Sequence, residues 1–159
     1  MTSVRLREVE ESDLPTFFEQ QLDREANQMA AFTVADPTDR EAFDARWQRI
    51  LANEEGMART IVVDDEVAGS VSKWRDPDLP GPEVTYWLGR DFWGKGVATR
   101  ALAGFLEIVA ERPLYGRCAA DNVGSRRVLE KCGFVFMSDH RGFSNARGEE
   151  IAEVMLELR

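Results

Sequence analysis

Two glycines separated by one residue stand between a β-forming run and a run with helical periodicity. The segment reads Glu83-Val84-Thr85-Tyr86-Trp87-Leu88-Gly89-Arg90-Asp91-Phe92-Trp93-Gly94-Lys95-Gly96-Val97-Ala98-Thr99. Glycine lets backbone N–H groups turn inward with no Cβ in the way. The first amides of a helix have no internal partners, and they sit at the positive end of its dipole. The chemistry this favours is anion binding, with a pyrophosphate as the fitting guest. Gly94, Gly96, Val97 and Ala98 supply amides and Thr99 adds a hydroxyl. Lys95 offers a charge, although a lysine at a loop tip ordinarily faces solvent.

Other chemistries find few residues here. His140 is the single histidine and Cys118 and Cys132 are the only cysteines. Neither a CxxC nor a Cys/His metal spacing exists, so no metal is expected, and both thiols are expected reduced and packed in the core. Gly89-x-x-x-x-Gly94-Lys95 copies most of the nucleotide-binding G-x-x-x-x-G-K-[ST] loop, but Gly96 stands where the Mg²⁺-holding hydroxyl belongs. A nucleotide hydrolase is disfavoured on that missing ligand.

The positioning elements follow from pattern. Val4–Val9 alternates as a first strand. A helix with Leu14, Phe17, Phe18, Gln21 and Leu22 on one stripe is expected to run to near Met29. Thr38 is expected to cap a second helix bearing Phe43, Trp47, Ile50 and Leu51. Arg59–Val63 and Val67–Trp74 read as strands joined through Asp64-Asp65-Glu66. The three-proline stretch from Asp76 to Pro82 reads as an exposed loop. Strand Glu83–Gly89 follows, then a helix from Val97 with apolar residues at 97, 98, 101, 102, 105, 108 and 109. Pro113 ends it. Strand Leu114–Ala119, a helix from Asn122 to Cys132, and strands Phe134–Met137 and Ile151–Leu158 joined by a polar hairpin complete the chain. The order implies an α/β (α+β) fold, one domain over residues 1–159, with a mixed central sheet and helices on both faces.

The run Trp93-Gly94-Lys95-Gly96-Val97-Ala98-Thr99 resembles the acetyl-CoA loop of the GCN5-related N-acetyltransferases, [RQ]-x-x-G-x-[GA]. Asn122-x-x-Ser125 followed by Val128-Leu129-Glu130-Lys131-Cys132-Gly133-Phe134 resembles that family's later signature. Tyr86-Trp87-Leu88 and the aromatic before the loop are most similar to the RimJ/RimL-like branch, which acetylates ribosomal-protein N-termini and related amines. Trp93 departs from the general Arg or Gln. Leu129 stands where many relatives carry the tyrosine that protonates the leaving thiolate.

The resemblance implies a single GNAT-like domain whose strand ending at Gly89 and strand Leu114–Ala119 are parallel and splay apart. Acetyl-CoA is then the acyl donor. Its pantetheine pairs with backbone around Leu88 and Gly89, its pyrophosphate sits on Gly94–Thr99, and Asn122 contacts the pantetheine arm. A Leu88 amide is a candidate oxyanion donor. Glu83 is the candidate base for the acceptor amine, against the alternative of a solvated strand-end carboxylate. Ser125 is the candidate acid for the thiolate, against a helix-start serine that only contacts CoA. Arg126 and Arg127 are candidates for the 3′-phosphate. Met29–Val34, Trp74, Arg75 and the proline loop are candidate walls for an acceptor, a peptide N-terminus or a small-molecule amine, attacked directly in a ternary complex. A catalytically silent acyl-CoA-binding regulator remains the alternative.

Charge bears on partners and compartment. Twenty Lys+Arg against 29 Asp+Glu give −9, a field that disfavours nucleic acid and is compatible with a cationic acceptor. No apolar run approaches the roughly 20 residues of a membrane span, and the start at Met1 lacks the build of a signal peptide. A cytoplasmic protein with no membrane partner is expected, and relatives leave a homodimer open.

Overall fold

A computed structural model describes residues 3–159. One seven-stranded sheet runs through it in the order β1-β2-β3-β4-β5-β7-β6. The strands are β1 Val4–Glu8, β2 Met57–Val63, β3 Glu66–Trp74, β4 Glu83–Leu88, β5 Leu114–Ala119, β6 Val135–Ser144 and β7 Glu149–Leu158. The helices are α1 Leu14–Gln21, α2 Arg24–Ala30, α3 Arg40–Ala52, α4 Val97–Ile108 and α5 Val123–Lys131. Every sheet contact is antiparallel except β4 with β5, which is parallel and holds at a single register, Glu83 opposite Tyr115. Beyond it the two strands part.

Two-residue alternation splits β4 between two layers. Val84, Tyr86 and Leu88 join the core with Val97, Ala101, Leu102 and Phe105 of α4 and Leu129 of α5. Glu83, Thr85 and Trp87 face the other way, toward α1–α3. There Leu14, Phe17, Phe43 and Trp47 form a second core, with the Phe17 and Trp47 rings 5.1 Å apart. The expected α/β sheet with helices on both faces is the fold found.

Several boundaries differ from expectation. The long first helix is two, because Asp23 leaves helical dihedrals (φ −65, ψ 111) and its carboxylate accepts the Ala26 N–H, starting α2 afresh. Asp39, not Thr38, caps the next helix through the Ala42 N–H. Thr38 instead donates its hydroxyl to Asp36. The helix from Val97 ends at Ile108, before Pro113. The polar hairpin is mostly strand, since β6 runs on to Ser144. The proline loop is only partly exposed: Gly81 and Pro82 are buried, and Pro82 O accepts the Tyr115 N–H at 3.0 Å.

Asp13, just before α1, locks that helix to the sheet. Arg7 donates to both of its oxygens, at 2.8 and 2.9 Å, Thr60 donates at 2.7 Å and the Glu10 amide at 2.9 Å. Burial alone raises the pKa of this carboxyl, yet these donors outweigh it and hold it below the ordinary aspartate value. A depressed folded-state value stabilises the fold above the ordinary carboxylate range, and that contribution fades as pH falls through the depressed value. Asp13→Asn is therefore expected to cost about 2–4 kcal/mol at neutral pH, and to flatten the acid limb of stability. Urea titrations between neutral pH and pH 3 measure both.

Candidate active site

Backbone parity decides what the parting of β4 and β5 exposes. Pro82 O points at β5, so Val84, Tyr86 and Leu88 turn their N–H and C=O groups the same way, while Glu83, Thr85 and Trp87 turn theirs to β3. Past Val84 no β5 partner meets them among the described residues. Trp93 Nε1 donates to Leu88 O at 2.9 Å, which occupies one acceptor on that edge. The N–H groups of Tyr86 and Leu88 face a cavity of about 810 Å³.

The glycine loop closes one end of this cavity. Gly94 and Gly96 have φ of +72° and +75°, a region L residues avoid, and no atom lies within 4 Å of where a Cβ would stand. Conformation, not crowding, requires glycine there. Arg100 is the first amide of the helical start to reach a carbonyl, Gly96 O, and among the described residues the amides of 94–99 have no backbone acceptor outside the helix. Gly94, Gly96, Val97, Ala98 and Thr99 line the cavity, so their unpaired amides fit a pyrophosphate. Lys95 is exposed and is not among the lining residues. Gly89 also stands apart: its N–H donates to Ala68 O at 2.8 Å, and a Cβ there would come within 2.9 Å of Gln20 Nε2. It serves the sheet-to-loop junction.

Asn122 and Ser125 sit on the opposite wall. Asn122 Oδ1 caps α5 by accepting the Ser125 N–H at 3.2 Å, which leaves its Nδ2 without a partner among the described residues. Tyr86, from β4, reaches across to α5 and donates its hydroxyl to Ser125 Oγ at 3.3 Å. Burial holds the Tyr86 phenol above the ordinary tyrosine value, against the opposing hydrogen bond. Sequence reasoning missed this pair. The residues lie 39 apart and only the tertiary fold joins them. Arg127 lines the cavity, whereas Arg126 pairs with Glu130 at 3.6 Å and stacks over Phe136.

Glu83 is buried, not solvated. Arg117 of β5 donates to it at 2.9 Å, to Asp76 at 3.2 Å, and approaches Glu153 at 3.6 Å. Burial pushes Glu83 above the ordinary glutamate value, and the guanidinium offsets only part of that. Three carboxylates around one Arg leave this wall with an excess of negative charge, suited to an incoming cation. The signal in the sequence was Arg117 itself, one charge in the otherwise uncharged strand Leu114–Ala119. Of the expected acceptor walls, Met29, Ala30, Phe32 and Trp74 line the cavity, as does Asp76.

The thiols stand outside this chemistry. Burial pushes Cys118 up to about 11, and Cys132 Sγ lies 3.5 Å from Thr99 O with its pKa also raised by burial. Among the described residues no group of three or more His, Cys, Asp or Glu is placed to hold a metal.

A family model described as an acetyltransferase (GNAT) domain matches residues 3–135. Over 103 residues the chain is 31% identical to YdaF of Bacillus subtilis (strain 168), provisionally named a ribosomal N-acetyltransferase. That match takes in 62% of this chain and 56% of the relative, so the chain spans little more than half of that protein's length. RimL, a ribosomal L7/L12 alpha-N-protein acetyltransferase solved in complex with coenzyme A, superposes with a TM-score of 0.78 at 20% identity, covering 98% of this chain and 94% of that one. A spermidine N-acetyltransferase from Vibrio cholerae, in complex with CoA and spermine, gives 0.79 at 17% identity over 97% and 95%. At these identities the two structures speak for the fold.

Because the space around the Gly96 position is open, Gly96→Ala is expected to fold and to lose only about 1–2 kcal/mol, the strain of a left-handed alanine. Urea unfolding measures it; a loss beyond 4 kcal/mol would mean that hidden packing, not φ, selects glycine there.

Proposed function

Because the chain belongs to the GNAT acetyltransferase family, we propose that residues 1–159 act as one acetyl-CoA-dependent N-acetyltransferase, attacking the thioester directly with a primary amine. The observation that carries this is the parted β4–β5 pair: a proton acceptor stands on one face of the gap and a proton donor on the other. The unpaired amides of residues 94–99 support a site for the CoA pyrophosphate, with the backbone of Leu88 and the Asn122 amide along the pantetheine. Acetyl-CoA, when bound, supplies the acetyl group as a thioester.

Glu83 takes the proton from the acceptor amine, directly or through water, and its raised proton affinity suits that role. The Leu88 N–H donates to the carbonyl oxygen as negative charge builds there. Ser125 gives its hydroxyl proton to the departing sulfur, the Tyr86 hydroxyl pointed at Ser125 Oγ replaces it, and Tyr86 regains a proton from solvent in the open cleft. The raised thiol of Cys118 argues against a covalent acetyl-enzyme.

The acceptor is a protein N-terminus, as for the RimJ/RimL-like branch, or a small-molecule amine. We place the reaction in the cytoplasm, in keeping with two unpaired cysteines. Among the described residues no helix is long and apolar enough to cross a membrane. Exposed Val135 and Phe143 on the edge strand β6 support a homodimer.

An acetylation screen over N-terminal peptides, polyamines and aminoglycosides, read by free-thiol release, tests the reading. CoA binding without turnover on any amine would favour a silent regulator instead. On an accepted amine, Glu83→Gln is expected to lower kcat/KM roughly a hundredfold or more. It should also erase the limb along which wild-type activity falls as pH drops through a value above the ordinary glutamate range. Ser125→Ala is expected to lower kcat roughly tenfold to a hundredfold while leaving CoA affinity nearly unchanged; unchanged kcat would remove Ser125 from the chemistry.

A further inference from the structure

A second cavity, of about 340 Å³, opens between α1–α3 and the sheet face of β3 and β4. Phe32, Arg46, Thr85, Tyr86 and Trp87 line both it and the larger cleft, so the two chambers share a wall and differ in character. Two observations in the smaller one lack an explanation in the fold, and an exposed arginine gives the chamber a charge. Arg46 of α3 has no carboxylate within ion-pair distance and no hydrogen-bond partner among the described residues. Gln20 Oε1 and Thr33 Oγ1 are both buried and unpartnered. Gln20 is not free to turn away, because its Nε2 donates to Ala68 O at 3.0 Å. Each such orphan costs about 1–3 kcal/mol when nothing fills the site.

The segment carrying Thr33 is held in place at some cost. Ala31 adopts φ +65°, and Ser144 Oγ fixes it by donating to Ala31 O at 2.6 Å. Strain of this kind in a non-glycine residue costs roughly 1–3 kcal/mol and clusters at ligand sites.

Resting on the acetyltransferase reading, we propose that this chamber binds an anionic group of the acceptor, a carboxylate or a phosphorus oxyacid, on Arg46 and the Thr33 hydroxyl. The acceptor is then a zwitterion. Its ammonium lies toward Glu83, Asp76 and Arg117, where carboxylates are in excess, and its anion lies toward the unpaired guanidinium. Arg46 is exposed and lines both chambers, and surrounding protein, with Arg49, lowers its pKa. The group stays charged all the same, and its poor compensation raises the gain from an anion. Gln20 Oε1 is left to accept an N–H or O–H of the same molecule or of a bridging water. Phe17, Phe43 and Trp47 add apolar lining, which suits an amino acid with a hydrophobic side chain better than a polyamine.

The test pairs acceptors that differ only in the anion: phenylalanine with its amide, and 2-aminoethylphosphonate with ethanolamine, spermidine serving as a polyamine control. Free-thiol release gives kcat/KM for the wild type, Arg46→Gln and Arg46→Lys. The wild type is expected to favour the anionic member of at least one pair by roughly thirtyfold, the weight of a desolvated charge pair. Arg46→Gln should collapse that ratio through KM, and Arg46→Lys should restore part of it. Which pair shows the preference tells a carboxylate from a phosphorus oxyacid. Equal rates within both pairs, or a ratio that survives Arg46→Gln, overturn the proposal. If no amine turns over, calorimetry with N-acetylphenylalanine and its amide on the CoA-loaded protein decides it instead: Arg46-dependent preference for the acid supports the anion site while the transferase reading fails, and no preference overturns it.

Discussion

A parallel pair of strands that agree at one register and then diverge is the constraint on which the site depends. Glu83 and Tyr115 are matched; further along, the N–H groups of Tyr86 and Leu88 have no β5 partner among the described residues. Interior N–H groups without a partner are costly, and folded proteins rarely leave them so. Here the loss is limited to one side of one strand, since β3 satisfies the other edge and Trp93 covers Leu88 O. A guest with amide groups of its own, laid along β4, restores what β5 withholds.

The same parting places chemistry on two faces of one sheet. Alternation sends Tyr86 toward α5, where Ser125 waits, and Glu83 toward the α1–α3 layer, where Arg117 holds it. In the proposed mechanism a proton would enter from one layer and leave through the other, without donor and acceptor competing for one spot. Electrostatics keep the two ends unlike. Burial raises the proton affinity of Glu83 above that of a surface glutamate, and Arg117 offsets part of the rise.

Much of this was legible in residue order, and the failures share a cause. The strands Glu83–Leu88 and Leu114–Ala119, the helix from Val97 and the glycine pair were readable because each rests on local period or local dihedrals. The break at Asp23 was not, since Leu14 to Met29 keeps an apolar stripe across it and only a capping carboxylate marks the restart. For Glu83 the sequence left a candidate base and a solvated strand end after a proline loop both open. Burial came from Arg117, 34 residues away, and from Pro82 being tied to Tyr115. Lys95 and Gly89 fit the loop pattern equally well, yet one is exposed and the other spends its amide on Ala68. A motif specifies residue types, not which of them have a free hydrogen-bonding group.

Leu129 shows how a departure from a family pattern is absorbed. Taken alone, the loss of a tyrosine there argues for a chain that binds CoA and does nothing further. In the structure Leu129 is a core residue packed over Gly116, so closely that a Cβ at Gly116 would come within 2.6 Å of it. Leucine and glycine thus fill one volume between α5 and β5, and a larger side chain would need room that this pair does not leave. The hydroxyl missing from position 129 is matched by one from a different element, Tyr86 on β4, directed at Ser125 beside the same cavity. In the proposed mechanism, proton donation would then be tied through Tyr86 to the strand that also aims the carbonyl. A regulator under no demand for turnover has no need of that coupling, and the coupling weighs the structure toward an active enzyme.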